Sequence, residues 1–358
     1  MDYSVRDLTL HLTEECNLDC RYCFQKRRSQ RLGFSTIRKV LESFQDAFEA
    51  RSFIGFYGGE PLLEFDTIRR TVEYIQAHKT LRRKKLRYSV STNGTLLNKE
   101  VLGFLNTHKF RVNLSHDGTA QETTRPSRMN SLILENLDRL VRLRGIELDT
   151  NSVFVPVTVG EIYRSARFLL ERGIQNCNLS YSLINPWESK RLDQMRGEVQ
   201  ELRAFLLSHY RRHRTIPVVN FRSRPSLGLF WCSAGQDRLA LAADGKLWGC
   251  RFFADFFADK SGHPEFNNYC FGDIQEFADR PQNGYCPTYR NYGLLRQEAF
   301  SSEEKACRKC TRLLYCSVCP ATAALSTGRV GIIPAWICDI KNIWLEEVRK
   351  FWEAAGKN

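Results

Sequence analysis

The sequence predicts an α/β fold in which a partial parallel barrel is followed by a smaller, cysteine-rich domain. Three observations lead to this prediction. Short apolar runs alternate with amphipathic helical segments over about the first 210 residues, polar motifs stand directly after four of these runs, and nine of the 13 cysteines lie between Cys232 and Cys338. Alternating strands and helices are typical of a parallel sheet with right-handed crossovers. A chain of 358 residues is also long enough for two domains.

Six strand–helix units support the barrel. The apolar run 8–12 predicts a buried strand, and one helical face is predicted by the apolar residues that follow, Ile37, Val40, Leu41, Phe44 and Phe48. Five more units pair strands and helices at 53–57 and 66–78, 86–91 and 98–106, 110–115 and 131–144, 148–157 and 161–172, and 177–182 and 190–213. Six units are too few for a closed eight-stranded barrel, so we predict a partial (β/α)6 TIM-like barrel over residues 1–215.

Polar motifs follow the first four predicted strands. They are the cysteine-containing segment after the first, "GGEP" after the second, "TNGT" after the third and "HDG" after the fourth. The carboxyl ends of parallel barrel strands meet on one face, where active sites lie. We therefore expect these four segments to converge on one site. From about residue 216 short strand and turn signals replace the repeat, which predicts a second domain over residues 216–358.

Composition limits the compartment and the partners. No apolar run reaches the roughly 20 residues needed to span a bilayer, and the start "MDYSVRDLTL" lacks the features of a secretory signal, so a cytoplasmic location is expected. Cysteines of cytoplasmic proteins seldom form disulfides, and 13 of them indicate metal sites. The net charge of +13 resembles that of a nucleic-acid-binding protein. Iron-sulfur clusters with deprotonated cysteine ligands would lower it by roughly five units.

The segment "LTEECNLDCRYCFQ" places Cys16, Cys20 and Cys23 in a Cys-x3-Cys-x2-Cys array. A structural zinc site needs four ligands, and no fourth Cys or His follows nearby. Three thiolates suit a 4Fe-4S cluster with one iron open to a small ligand. Together with Tyr22, the array resembles the signature of the radical S-adenosylmethionine (SAM) superfamily over residues 8 to 182. That resemblance implies a cluster whose open iron binds SAM, and reductive cleavage of SAM to a 5'-deoxyadenosyl radical that abstracts hydrogen from a substrate.

The resemblance also assigns SAM contacts to residues at the strand ends. Gly58 and Gly59 permit a close backbone approach, and Glu60 supplies a carboxylate for the ammonium group of SAM, as in the GGE motif of the family. Asn93 and Ser115 are suited to the ribose hydroxyls or to the carboxylate of SAM.

Three further contacts complete the expected SAM site. Arg125 is expected to pair with the carboxylate of SAM, and Tyr22 and the backbone near Val153 and Val155 to hold the adenine. Many members of the family have a His-Asp pair before this arginine. Here the segment reads "TAQETTRP" and is shorter, which weakens the assignment of Arg125 relative to that of Glu60.

The second domain contains two groups of cysteines. Gly245 follows Asp244 in a predicted hairpin turn that brings Cys232 and Cys250 together, and the later cysteines are Cys307, Cys310, Cys316, Cys319 and Cys338. This order resembles the SPASM extension of radical SAM enzymes, although a pair of structural zinc sites is the alternative. The resemblance implies one auxiliary 4Fe-4S cluster on Cys307, Cys310, Cys316 and Cys338. A second is implied on Cys232, Cys250 and Cys319, with Cys270, Cys286 or a substrate at its fourth position, which makes three clusters in total. Cys177 is expected to be a small buried hydrophobic residue.

SPASM enzymes modify peptides and proteins. The resemblance therefore implies a ribosomal peptide maturase that forms thioether or carbon–carbon crosslinks, with a precursor peptide as substrate and a flavodoxin or ferredoxin-type reductant. Because seven residues precede the first predicted strand, no fused recognition domain is expected, and a separate peptide-recognition protein is included among the expected partners.

Two other functions remain open. A formylglycine-generating sulfatase maturase would carry an aspartate directly after the cysteine that matches Cys250, where this chain has Arg251; Asp255 is the available substitute. A nucleic-acid-modifying iron-sulfur protein is favoured only by the basic charge, because the aromatic residues are not interleaved with the basic runs. A passive electron carrier is disfavoured because it would not need SAM-binding loops.

Overall fold

The computed structural model of the chain describes residues 4–225, 227–228, 232–279, 287–296, 300–302 and 307–356. Within these ranges the strands form a nine-stranded sheet and a separate two-stranded pair. The strands are β1 (Val5–Thr13), β2 (Phe48–Gly58), β3 (Arg87–Thr92), β4 (Arg111–Ser115), β5 (Glu147–Phe154), β6 (Cys177–Tyr181), β7 (Arg238–Leu241), β8 (Lys246–Trp248), β9 (Cys270–Asp273), β10 (Ser301–Ser302) and β11 (Ile332–Ile333).

The large sheet has the order β6-β5-β4-β3-β2-β1-β7-β8-β9. Strands β1 to β6 are all parallel to their neighbours. The six predicted strand–helix units therefore exist as one parallel array, and the predicted fold class, an α/β partial barrel, is confirmed. Because the array is parallel, the carboxyl ends of all six strands lie at the same edge of the sheet.

The described residues contain thirteen α-helices, of which α1 to α7 connect the parallel strands β1 to β7. They are α1 (Phe34–Ser43), α2 (Phe65–Ala77), α3 (Lys99–Thr107), α4 (Gln121–Thr124), α5 (Asn130–Val141), α6 (Ile162–Glu171), α7 (Ser189–His213), α8 (Arg251–Phe257), α9 (Phe266–Tyr269), α10 (Ile274–Asp279), α11 (Pro287–Gly293), α12 (Pro320–Thr327) and α13 (Ala335–Ala354). No helix within the described ranges combines the length and the apolar character needed to cross a membrane.

The first unit shows how the sequence pattern produces the core, and where that pattern misled the prediction. Leu8, Leu10 and Leu12 alternate along β1 and are fully buried, as expected for one face of a strand. The prediction that Phe48 continues the helical face of α1 was wrong. The helix ends at Ser43, and Phe48 is the first residue of β2, where it pairs with Val5. Phe48 is buried in the sheet. An apolar residue at this position fits the helical period of about 3.6 residues as well as the strand period of two.

The region after α7 extends the same sheet. Strand β7 pairs in parallel with β1, and β8 and β9 follow in antiparallel order. The predicted hairpin turn is confirmed between β7 and β8. Gly245 has φ +83° there, and the Ala242 amide donates to the Lys246 carbonyl at 2.9 Å. A boundary at 215/216 falls after α7, and the division of the chain into two domains remains a prediction.

The last helix fixes this region against the barrel helices. Helix α13 packs on α7, where Arg203 Nε donates to Glu347 Oε2 at 2.7 Å. Glu347 is 1% exposed. A buried carboxylate without a partner would be costly, so this pair fixes the alignment of the two helices.

Candidate active site

Three cysteines lie in the loop after β1, at the carboxyl edge of the sheet. Burial raises the pKa of all three thiols, that of Cys20 to about 11. The negative charge of Cys16 raises the pKa of Cys20 and of Cys23 further. Two N–H donors reach the sulfurs. Asn93 Nδ2 lies 3.9 Å from Cys16 Sγ, and Arg125 Nη1 lies 3.7 Å from Cys20 Sγ. Three thiols in one loop, two of them with an N–H donor nearby, suit three of the four ligands of a 4Fe-4S cluster, which binds them as thiolates.

The two glycines after β2 allow the cysteine loop to pack directly on this strand. A Cβ atom on Gly58 would lie 2.2 Å from the Thr13 carbonyl oxygen, and one on Gly59 would lie 2.1 Å from the Glu15 carbonyl oxygen. The Gly59 amide donates to Thr13 at 2.9 Å. The close backbone approach at these two glycines is to the segment that leads into Cys16, and their contact with SAM stays a prediction.

Glu60 is fully buried and hydrogen-bonded at the end of β2. Its carboxylate accepts from the Leu62 amide at 3.0 Å, from the Thr92 hydroxyl at 2.8 Å and from the Asn93 amide at 2.7 Å. Burial raises the pKa of Glu60 to about 7, although the three donors act in the opposite direction. A carboxylate has about four acceptor positions, so one is left for the ammonium group predicted here.

The amide and hydroxyl groups at the ends of β3 and β4 form a polar rim. Asn93 Oδ1 accepts from Thr95 Oγ1 at 2.7 Å, and its Nδ2 donates to Asn17 Oδ1 at 2.8 Å. Ser115 ends β4 and lies opposite Asn151 of β5. Both predicted polar residues are therefore at the carboxyl edge, on the side of the cysteine loop.

Asp117 is the centre of the site, and the sequence analysis did not assign it a role. It is fully buried, and its carboxylate accepts four hydrogen bonds. The donors are the Tyr22 hydroxyl at 3.1 Å, the Thr124 hydroxyl at 2.5 Å, Arg125 Nε at 2.9 Å and the Val153 amide at 2.7 Å. One carboxylate thus holds three of the residues that were predicted to bind SAM. The available signal was its place in the "HDG" segment after β4.

The predicted adenine and carboxylate contacts have structural partners of their own. The Arg125 guanidinium lies 5.0 Å from the centroid of the Tyr22 ring, as a cation–π pair. The Val153 amide is bound to the buried carboxylate just described, and the Val155 amide donates to Thr158 Oγ1 at 3.1 Å. The structure brings Tyr22, Arg125 and Val153 together, with the remaining N–H groups of Arg125 available to an anion.

A second buried polar cluster forms where Asp255 of α8 reaches side chains of β1 and β2. Asp255 accepts from Gln25 Nε2 at 2.9 Å, its Oδ1 lies 3.8 Å from His11 Nδ1, and it also bonds with the Tyr57 hydroxyl. Burial raises the pKa of Asp255 to about 7 and lowers that of His11 to about 3. The positive charge of Arg251 lowers both pKa values, so it opposes burial at Asp255 and adds to it at His11. His11 Nε2 and Asp255 Oδ2 are buried without a hydrogen-bond partner within the described residues.

We expect replacement of Asp255 by asparagine to remove a pH-dependent loss of stability. The pKa of this carboxyl group rises from 3.8 to about 7 on folding. Its contribution to stability is therefore fully present at a pH below 3.8 and is lost as the pH rises through about 7. The free energy of unfolding of the wild-type chain should therefore fall relative to Asp255→Asn between about pH 4 and pH 8, by roughly 4 kcal/mol at most. Urea unfolding of the iron-loaded proteins measures this difference. Asp259→Asn, at a side chain that is 39% exposed, is the control, and parallel pH profiles for wild type and Asp255→Asn would contradict the expectation.

The cysteines after α7 fall into two groups. Burial raises the pKa of Cys338 to about 12, and the charges of Cys316, Cys307 and Cys310 also raise it. Burial likewise raises the pKa of Cys250 to about 12, with contributions from Cys319 and Cys232. Cys338 and Cys250 are thus each influenced by members of their own predicted set, and the assignment of these sets to clusters stays a prediction. Within the described residues, no three Cys, His, Asp or Glu side chains converge closely enough to hold a single metal ion.

The two candidates for a fourth ligand differ in position. Cys270 lies on β9, and the charged groups that act on its thiol are those of Lys246, Asp244 and Asp273 rather than the three cysteines. Cys286 lies outside the described residues. Cys177 is fully buried at the start of β6, as expected for a small hydrophobic residue.

Comparison with protein families agrees with this geometry. The model of the Radical SAM superfamily matches residues 10–170, a range that includes the cysteine loop, Glu60 and Asp117. Curated relatives include an uncharacterized protein of Methanocaldococcus jannaschii, 24% identical over 251 residues, which are 69% of this chain and 85% of that protein. The radical SAM cyclopropyl synthase TigE of Paramaledivibacter caminithermalis is 28% identical over 131 residues, 32% of this chain and 27% of that protein. A GTP 3',8-cyclase of Corynebacterium glutamicum is 28% identical over 205 residues, 54% of each chain. The chain thus spans about a quarter and about half of the lengths of the last two.

Solved structures share the fold over nearly the whole chain. The structure of anSMEcpe with bound AdoMet and the Cp18Cys peptide has a TM-score of 0.74 and 16% identity, covering 98% of both chains. Streptococcus suis SuiB bound to the precursor peptide SuiA has a TM-score of 0.59 and 14% identity, covering 92% of this chain and 75% of that one. With the family match, the three-cysteine loop and the strand-end residues around it, residues 10–170 of this enzyme are a radical SAM domain.

Proposed function

We propose that this radical SAM enzyme modifies a peptide or protein by hydrogen abstraction and carries two auxiliary 4Fe-4S clusters. The observation that carries the proposal is the grouping of the later cysteines into a set of four and a set of three. Cys307, Cys310, Cys316 and Cys338 form one set, and Cys232, Cys250 and Cys319 form the other. Four thiolates complete a cubane, and three leave one position to another ligand. The cluster near the amino terminus and SAM supply, when bound, the radical that abstracts hydrogen.

The residues around the cysteine loop would position SAM. Glu60 holds one acceptor position for an ammonium group, and Arg125 has N–H groups beyond the one bound to Asp117 for a carboxylate. Asp117 fixes Tyr22 and Arg125 in one orientation, so both would meet the ligand without rearrangement. Ordering these side chains before binding reduces the entropy lost when SAM binds.

The inner face of the sheet supports a peptide as substrate. This face carries small hydroxyl and amide side chains, namely Thr9, Ser89, Ser91, Asn113, Ser115, Asn151, Asn178 and Ser180, together with the charged Asp7, Arg111 and Asp149 toward the amino ends of their strands. Asn151 Oδ1 accepts from Asn178, and from Ser180 Oγ at 3.2 Å. Neutral donors and acceptors match the amide groups of a peptide backbone. The two solved structures of similar fold contain peptides, and those complexes support the same substrate class for this chain.

Formylglycine formation in a sulfatase is the second candidate, and Asp255 favours it. Arg251 stands where a base would be expected, directly after Cys250. Asp255 is buried, and its pKa of about 7 suits a general base at neutral pH. The charge of Asp255 also acts on Cys23 of the cysteine loop, so the carboxylate lies on the side of the sheet where hydrogen abstraction would occur.

The experiment compares three probes on the anaerobically reconstituted enzyme with SAM and a low-potential reductant. The probes are peptides encoded by short reading frames beside the gene, a sulfatase peptide with a central Cys or Ser, and GTP. Mass spectrometry should show loss of two hydrogens and a new thioether or carbon–carbon bond in a neighbour-encoded peptide. Formylglycine in the sulfatase peptide would establish the second candidate instead. Consumption of GTP without change in any peptide would overturn both.

A further inference from the structure

Lys341 lies near cysteines of both groups in the second half of the chain. It follows Cys338 by one turn of α13, and its ammonium lies 6.0 Å from the centroid of the Tyr181 ring. Lys341 borders a cavity of about 830 Å³ that Cys316, Cys319 and Cys338 also border. The cysteines whose negative charge acts on the Lys341 ammonium are Cys316 and Cys319, one from each set.

Within the part of the chain that the structure describes, no carboxylate forms an ion pair with Lys341. Among the described residues the groups that act on its ammonium are cysteine thiols, and no ion pair is formed. Asp339 borders the same cavity and acts on Cys338. Arg224 and Arg312 border it as well, but both are exposed, whereas Lys341 is half-buried. An ammonium that is partly withdrawn from water is stabilised by nearby anions. The anions available here are the thiolates of both sets, which exist as thiolates when they bind iron.

We infer that Lys341 is the cation shared by the two auxiliary cysteine sets and that it raises the reduction potentials of the clusters they hold. This inference rests on the proposed function, which places a cluster on each set. Reduction adds one electron to a 4Fe-4S core and takes it from the 2+ to the 1+ state, with no bond formed or broken. The reduced cluster is more negative by one charge, so a nearby ammonium stabilises it more than the oxidised one.

The test measures midpoint potentials by EPR-monitored titration with a low-potential reductant and mediators. The full-length chain is used with Cys16, Cys20 and Cys23 replaced by alanine, so that only auxiliary clusters contribute. In this background Lys341→Met should lower the reduction equilibrium constant of at least one cluster about tenfold, which is about 59 mV for one electron. Lys341→Arg keeps the charge and should stay close to the parent. Lys350→Met is the matched control, because Lys350 lies on the same helix but pairs with Glu346 and Glu347.

Iron content separates failure of this inference from failure of the proposed function. The parent chain without the first cluster should hold about eight iron atoms. A parent that holds no iron overturns the cluster assignment and this inference together. Equal iron in parent and Lys341→Met, with potentials unchanged, overturns the inference alone. If Lys341→Met loses iron, Lys341→Gln, which keeps a polar end, provides the neutral variant, and an unchanged potential there is equally decisive.

Discussion

Replacement of Gly59 by alanine is expected to eliminate the cluster near the amino terminus while the rest of the sheet stays folded. The added Cβ atom would lie 2.1 Å from the Glu15 carbonyl oxygen and 3.1 Å from Cys16 Cβ. These atoms belong to the backbone and to the base of a side chain, so the cysteine loop must move away from β2. Overpacking of this kind costs about 1–3 kcal/mol. A displaced Cys16 no longer shares a cluster with Cys20 and Cys23.

Iron, sulfide and 5'-deoxyadenosine measure the effect of Gly59→Ala. Iron should fall by about four atoms per chain, and formation of 5'-deoxyadenosine should become undetectable. Gly103→Ala is the matched control, since Gly103 lies in α3 and a Cβ atom there meets nothing within 4 Å. Alanine in a helix interior is favoured by roughly 0.5–1 kcal/mol, so this control should be neutral or slightly stabilising. Wild-type iron and SAM cleavage in Gly59→Ala would contradict the packing argument.

Local patterns in the sequence predicted the barrel because each strand–helix unit forms from contiguous residues. The predicted helix at 190–213 is α7, Ser189–His213, and the predicted strand at 110–115 contains β4, Arg111–Ser115. The pairing of β7 with β1 was not predicted. It joins Asp7 to Arg238 and Leu10 to Leu241, residues far apart in sequence, and neither strand carries a periodicity that indicates its neighbour. Phe48 shows that local patterns can also mislead, because one apolar residue can fit a helical pattern and a strand pattern at once.

The chemistry of the site was predicted where residue type and spacing define it, and missed where position in space defines it. Three cysteines in a fixed array can be recognised in one dimension. Asp117 could not be, because its role comes from four donors on different segments that meet only in the fold. The cluster around Asp255 is similar, since His11 on β1 and Tyr57 on β2 reach it from the other half of the chain.

Replacement of Asp117 by asparagine is expected to weaken SAM cleavage at least about 30-fold while iron stays bound. Asparagine offers one acceptor oxygen where the carboxylate accepts four hydrogen bonds, and Arg125, which is 6% exposed, loses its counter-charge. Removing one partner of a buried charge pair costs about 2–5 kcal/mol, and 2 kcal/mol corresponds to about 30-fold in rate or affinity. Tyr22 and the Val153 amide lose their positions with it. Asp117 is not itself one of the three cysteine ligands and reaches their loop only through Tyr22 and Arg125, so cluster content should stay close to that of the wild type.

Two measurements distinguish loss of SAM positioning from general unfolding in Asp117→Asn. The affinity for SAM, followed by its effect on the EPR signal of the reduced cluster, should fall with the rate of 5'-deoxyadenosine formation. Asp66→Asn is the matched control, because Asp66 pairs with Arg69 at side chains that are 68% and 42% exposed. Exposed pairs contribute about 0–1 kcal/mol, so this control should leave both measurements unchanged. If Asp117→Asn retained wild-type SAM affinity, Tyr22 and Arg125 would not be positioned by Asp117 for the ligand, and the carboxylate would serve the fold alone.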